Sequence, residues 1–227
     1  MRTGALSLVE LQKLRHDNTE LVTRVIQPVL WLLVFGQIFS QIRAIPTGDL
    51  SYLAYLTPGI LAQSALFVSI FVGIQIIWDR DAGILTKVMV TPTPRSAIVL
   101  AKAFAAGIRG LAPVVVLVPV ALLLGVSITV NPVNIIGAAI ALMLGAGFFA
   151  CLSMAIAGVA QARDRLMGIG QLMTMPLFFA SNALYPIDIM PPWLQVISQI
   201  NPLTYLVNAL RGLLVGAPAT SGRTSAC

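Results

Sequence analysis

The chain has 227 residues, of which 58% are hydrophobic and only 10% are charged, against roughly a quarter charged in an ordinary soluble domain. A single core in a chain of this length cannot hide that much apolar surface, so composition excludes a cytosolic enzyme, a disordered chain and a collagen-like repeat and indicates an integral membrane protein. The net charge of +6 lies between apolar runs, where it bears on membrane orientation rather than nucleic acid, and no zinc-finger or RNP-like spacing accompanies it.

Ser7 and Glu10 have capping-box spacing and open a helix. Leu8, Leu11, Leu14, Leu21, Val22 and Val25 recur at three- and four-residue steps, with Lys13, His16, Asp17, Glu20 and Arg24 largely off that stripe. This pattern predicts an amphipathic helix over residues 1–24 lying on the membrane surface. The alternative is that these are the solvated first turns of the next helix. No small-residue cleavage site follows, so the first apolar run is expected to stay in the protein as an anchor.

Charges then punctuate the apolar runs. Val25 to Ile42 holds 18 uncharged residues, close to the ~20 a span needs. Leu50 to Trp78 holds 29, and Thr57-Pro58-Gly59 near its start predicts a kink or a partly re-entrant beginning. A polar, proline-containing stretch runs from Asp79 to Arg95. The next run, Ala97 to Leu124, contains Lys102 and Arg109; Arg109 is expected to snorkel back to the interface, with the inside of a bundle as its alternative. Residues 110–162 carry no charge, and Asn131-Pro132 with Asn134 divides them into two spans. In the second of these, Gly137, Ala141 and Gly145 repeat every four residues and offer a face for close helix approach.

Arg163, Asp164 and Arg165 form a short charged loop before a fifth span, Leu166 to about Tyr185. Ile187 to Pro202 then reads as an interfacial or re-entrant hairpin, with Ile189, Trp193, Val196, Ile197 and Ile200 at helical spacing. Leu203 to Val215 is short and carries Arg211. Residues 216–227 are small and polar. The fold class expected is an all-α polytopic membrane bundle of about five spans, with an amino-terminal interface helix and an outer-face helical hairpin. Its parts are residues 1–24, a transmembrane domain over 25–215, and a polar tail.

With the amino terminus inside, the cytoplasmic side holds Arg2, Lys13, Arg15, Arg24, Arg80, Lys87, Arg95, Lys102, Arg163 and Arg165, and the other side only Arg43. That asymmetry sets the orientation. It places Asp79–Arg95 inside and Asp188–Trp193 outside.

Several chemistries lack their residues. No phosphate-binding loop and no dinucleotide fingerprint occurs. The single histidine, His16, sits on the amphipathic helix, so no Ser-His-Asp set can be assembled at a cavity. H-E-x-x-H and C-x-x-C are missing, and the two cysteines, Cys151 and Cys227, suggest neither a disulfide framework nor a metal site. All eight carboxylates lie outside the spans or at their ends, which disfavours a proton- or ion-coupled pump.

Two segments together resemble ABC-2 type transporter permeases. The first runs Trp78-Asp79-Arg80-Asp81-Ala82-Gly83-Ile84-Leu85-Thr86-Lys87-Val88-Met89-Val90-Thr91-Pro92 and on to Arg95 and Lys102. The second is Leu184-Tyr185-Pro186-Ile187, then Met190-Pro191-Pro192-Trp193-Leu194, then Asn201-Pro202-Leu203-Thr204-Tyr205 and Arg211-Gly212. The drug-exporting and nodulation-factor-exporting branches are the nearest.

The resemblance implies a permease subunit of the cell (inner) membrane that pairs with a second copy as a homodimer and binds separate ATPase subunits. ATP and Mg would sit on that partner, with no cofactor in this chain. Asp79, Arg80, Asp81, Gly83, Leu85, Lys87, Thr91 and Pro92 would couple to the ATPase, Gly83 by allowing close approach. Glu10, Lys13, Arg15 and Glu20 would lie on the interface helix. Tyr185, Pro186, Pro191, Trp193, Asn201 and Pro202 would form the outer-face hairpin. The function implied is ATP-driven export of a drug-like, lipidic or lipid-linked cargo, including antibiotic resistance. The alternatives are a secondary transporter or channel, or a truncated permease. Asp79 and Asp81 stand where the family usually has Glu, and Ile84 and Thr86 also depart from its pattern. The family usually has a sixth span; the chain after Asn201 offers truncation, a short sixth span that includes Arg211, or a defective or divergent member.

Overall fold

A computed structural model describes residues 18–42, 50–83, 95–129, 131–160 and 163–216. Among these, the long elements are α1 (Asn18–Ile42), α2 (Tyr52–Asp81), α3 (Arg95–Gly110), α4 (Ala112–Leu123), α5 (Pro132–Ala160) and α6 (Arg163–Phe179). A 3-10 turn (Ile187–Ile189), α7 (Pro192–Ile200) and α8 (Pro202–Val215) follow. The described residues form an all-α bundle, as the composition predicts. Tyr52–Asp81, Ser96–Leu123 and Pro132–Val159 are each long and apolar enough to cross a membrane; α1 and α6 hold the shorter apolar stretches Ile26–Phe39 and Gly168–Phe179.

α2 is the central element, packed against α1, α3, α4, α5, α6 and α8. Two of its glycines bring backbones together. A Cβ on Gly73 would lie 2.7 Å from the Ser153 carbonyl oxygen of α5, and one on Gly59 would lie 2.5 Å from that of Ala183. Thr57-Pro58-Gly59 therefore does not break the helix, which runs unbroken through Pro58. It forms the seat for the turn after α6. Hydroxyls join the same helices: Ser69 Oγ donates to the Ala146 carbonyl at 2.8 Å and Ser153 Oγ to that of Ile70 at 2.9 Å. Such bonds satisfy polar groups where lipid offers none.

α1 covers one side of α2. Trp31, Phe35 and Phe39 stack along it, with ring centroids 4.5 and 6.0 Å apart, and Phe39 meets Tyr52 at 5.5 Å. Trp31 also meets Phe178 of α6 edge-on. Ile26, Leu30, Leu33, Val34 and Ile38 face away from the bundle, which is tolerable because lipid is as apolar as a core.

α3 and α4 are two pieces of one crossing. The first helix ends at Gly110, and Pro113 opens the second, where its missing N–H costs nothing. Asn131-Pro132 starts α5 as expected, the Asn131 side chain accepting from the Val133 N–H at 3.1 Å. The small-residue face of α5 is used as the spacing predicts: Leu213 packs over Gly137 and Leu206 over Gly145, both from α8.

The path of α8 decides against the alternative in which Leu203–Val215 is a short sixth span. Its fourteen residues are about 21 Å long at ~1.5 Å per residue, short of the ~30 Å hydrocarbon layer. Leu206 lies at Gly145, thirteen residues into α5, whereas the Leu214 carbonyl accepts from the Thr129 N–H just before α5 begins. α8 thus starts deep in the bundle and emerges at the end where α2 and α5 start. Leu184 is at that end too, its carbonyl accepting from Tyr52 Oη at 3.3 Å. Residues 185–216 enter and leave on one side, with the Asn201-Pro202 turn pointing inward.

Candidate functional site

The first candidate region is the far end of α2. The helix stops at Ala82, whose N–H donates to the Trp78 carbonyl at 2.8 Å, and Gly83 follows at φ 69 with its N–H on the Arg80 carbonyl. Among the described residues, nothing lies within 4 Å of a Cβ built on Gly83. Its positive φ suits the left-handed stop of a helix.

The charged triplet before it divides. Arg80 and Asp81 are exposed and face each other at 3.4 Å, a geometry that contributes little in solvent. Asp79 turns inward: its Oδ2 lies 2.6 Å from Lys102 Nζ of α3, with side-chain exposures of 17% and 7%. One turn deeper, Arg109 Nη1 donates to Gln75 Oε1 at 2.7 Å. Arg109 therefore faces α2 inside the bundle rather than snorkelling to the interface. Truncating one partner of a buried pair costs about 3–5 kcal/mol because the other charge stays desolvated.

The second region is the inward-turning hairpin. Pro186 and Pro191 hold extended backbone before the 3-10 turn and α7. Tyr185 Oη donates to the Phe179 carbonyl at 2.7 Å. Trp193 is 65% exposed, with Val196, Ile197 and Ile200 also uncovered by this chain; these match an apolar face turned to lipid. Asn201 forms the inner turn. Its Oδ1 accepts from the Leu203 N–H at 3.0 Å, capping α8, while its Nδ2 donates to the Leu177 carbonyl at 2.6 Å. Pro202 occupies the first helical position of α8.

Arg211 holds this hairpin to the bundle. It is 5% exposed, and its Nη2 donates to the carbonyls of Asn182 at 2.8 Å and Tyr55 at 3.3 Å. The guanidinium carbon lies 3.7 Å from the Tyr55 ring centroid. Asn182 in turn pairs with Asn208 of α8, and Tyr55 Oη donates to the Asn182 carbonyl at 3.0 Å.

Of the expected site residues, Asp79, Arg80, Asp81 and Gly83 are brought to one end of the bundle, and Tyr185, Pro186, Pro191, Trp193, Asn201 and Pro202 to the hairpin. Leu85, Lys87, Thr91 and Pro92, and Glu10, Lys13 and Arg15, lie outside the described residues, as does the side chain of Glu20. Sequence reasoning missed Gln75 and Lys102 as partners of Arg109 and Asp79. The four-residue step from Gln75 to Asp79 and the seven-residue step from Lys102 to Arg109 were the available signals. Between α3 and α5, a groove of about 690 Å³ is lined by apolar side chains including Leu100, Phe104, Ile140, Met143 and Phe148.

The sequence profile of the ABC-2 type transporter family matches residues 2–215. A putative transport permease, ycf38, of Cyanophora paradoxa is 30% identical over 88% of this chain and 70% of its own length. The daunorubicin resistance ABC transporter permease protein DrrB1 of Streptomyces coeruleorubidus is 25% identical over 89% of this chain and 71% of its own length. The probable doxorubicin resistance ABC transporter permease protein DrrC of Mycobacterium tuberculosis is 24% identical over 93% of this chain and 76% of its own length. With an all-α bundle of apolar helices and a family match over nearly its whole length, this chain belongs to the ABC-2 type transporter family and is a multi-pass membrane permease.

Proposed function

We propose that the chain is the membrane subunit of an ATP-driven exporter that moves a drug-like, lipidic or lipid-linked cargo out of the cytoplasm. Its energy comes from a separate ABC ATPase subunit, which binds ATP and Mg. Two permease copies, most simply identical, flank the cargo path in the cell (inner) membrane. The amino terminus and the Asp79–Arg95 segment face the cytoplasm, by the excess of Lys and Arg on that side.

The observation that carries this reading is the pairing of opposite ends. One end of the bundle presents the exposed Arg80 and Asp81 beside residues 84–94. The other carries an inward-turning hairpin tied to the central helix through Arg211. Charged groups that leave the bilayer suit a water-soluble partner, whereas a hairpin buried from the opposite side suits a gate on the cargo path. The names of the drug-resistance relatives favour an amphipathic cargo, and the apolar groove between α3 and α5 is compatible with one.

Inverted membrane vesicles containing the chain and its ATPase test the proposal, with daunorubicin as the probe. Uptake that needs Mg-ATP and survives collapse of the proton gradient is expected. Uptake driven by the gradient without ATP would establish a secondary transporter instead.

A further inference from the structure

The triplet Asp79-Arg80-Asp81 divides by partner. Arg80 and Asp81 are 45% and 60% exposed at their side chains, whereas Asp79 is spent on Lys102 at 2.6 Å. Asp79 belongs to α2 and Lys102 to α3, and these are the two helices that residues 84–94 connect. The second bridge, Gln75 to Arg109 at 2.7 Å, joins the same two helices one turn deeper. Both bridges lie on one stripe of each helix, because Gln75 and Asp79 are four residues apart and Lys102 and Arg109 seven.

Elsewhere α2 and α3 share apolar surfaces, Val72 clustering with Ala103 and Ala106. These permit sliding of one helix past another at small cost, as apolar surfaces are non-directional. A short ion pair and a side-chain hydrogen bond are directional, and in a poorly solvated place they are expensive to part. Asp79 and Lys102 are largely buried, at 17% and 7% side-chain exposure, so the pair is poorly placed to recognise a partner protein.

We propose that Asp79 and Lys102, extended by Gln75 and Arg109, form an internal strut that makes α2 and α3 move as one body, so that Asp79 is a positioning residue and not a contact for the ATPase. This rests on the permease reading above: displacement applied by the ATPase at the end of α2 would enter α3 in register, instead of being absorbed by slippage between the two helices. Contact with the ATPase falls to groups that point outward, Arg80 and Asp81 among them.

The test uses the full-length chain and its ATPase, purified together and reconstituted in phosphatidylethanolamine–phosphatidylglycerol vesicles. Variants are Asp79→Asn, Lys102→Met, Lys102→Arg and the exchange Asp79→Lys with Lys102→Asp. The readouts are ATPase recovered per permease, kcat and KM for ATP. Asp79→Asn and Lys102→Met are expected to retain the ATPase and an unchanged KM, with kcat lower by about tenfold, the loss that misplacement of a working geometry produces. Lys102→Arg and the exchange are expected to restore kcat to within about threefold of the native chain.

Loss of the ATPase in Asp79→Asn that the exchange does not restore would overturn the strut and make Asp79 a direct contact. An unaltered kcat in both single variants would also overturn it. A native chain that recovers no ATPase would overturn the permease reading instead. The two failures remain separable, because melting of the purified chain alone still reports the pair: both neutral variants melt lower and the exchange recovers.

Discussion

Glycines in this chain do two different jobs, and substitutions separate them. Gly73 sits where a Cβ would press on the Ser153 backbone of α5, so Gly73→Val is expected to destabilise the bundle by about 1–3 kcal/mol or more, as overpacking does. Gly83 meets no described residue but has φ 69. Gly83→Ala is expected to cost about 1–2 kcal/mol through the left-handed backbone alone, and Gly83→Asn clearly less. Thermal unfolding in mild detergent checks both; equal losses for Ala and Asn at position 83 would mean that something else packs there. Asn201 serves two elements through one amide. Asn201→Asp keeps the oxygen that caps α8 but loses the donor to the Leu177 carbonyl, and Asn201→Ala loses both. Melting is expected to fall for both variants, about 1 kcal/mol of the Ala loss being the cap, while Asp adds the larger cost of a carboxylate buried against a carbonyl oxygen. None of these side-chain partners was legible in the sequence. Lys102 and Arg109 looked like charges at the end of a span, and their acceptors, Asp79 and Gln75, lie on another helix. A single sequence gives the register within a helix but not the register between helices.

Among the elements, the spans were the easiest to read, because lipid demands long uncharged runs and charges mark their ends. The Asn131-Pro132 turn and the Gly137–Ala141–Gly145 face were equally legible, since each rests on local chemistry: a cap with a proline at the first helical position, and small side chains four residues apart. The depth of the hairpin was not. Residues 203–215 are apolar enough for lipid and for a protein interior alike, and only their packing on α5, with Arg211 anchored on the Asn182 and Tyr55 carbonyls, shows that α8 returns to the side from which α7 enters. Cysteines placed one at a time at Asp188, Asn131 and Asp81, in a chain whose native cysteines are replaced, give the check. A membrane-impermeant maleimide is expected to label positions 188 and 131 from the same side and 81 from the other. Labelling of 188 together with 81 would contradict the hairpin. Arg211→Met should loosen the same element, because each carbonyl bond to a charged donor is worth about 1.5–3 kcal/mol; Arg211→Lys should recover part of that loss.

In the whole molecule, one central helix, α2, joins an outward-pointing charged end to a buried hairpin at the opposite end. The proposed energy source is a separate ATPase that binds at the charged end. The direct measurement is purification from native membranes in mild detergent through a tag on the amino terminus, with mass spectrometry of what accompanies the chain. Recovery of an ABC ATPase in near-stoichiometric amount is expected, sharply reduced by reversing the exposed pair with Arg80→Glu and Asp81→Arg while the chain remains inserted. A native chain that is present, inserted and melts cooperatively, yet brings down no ATPase, would contradict the account.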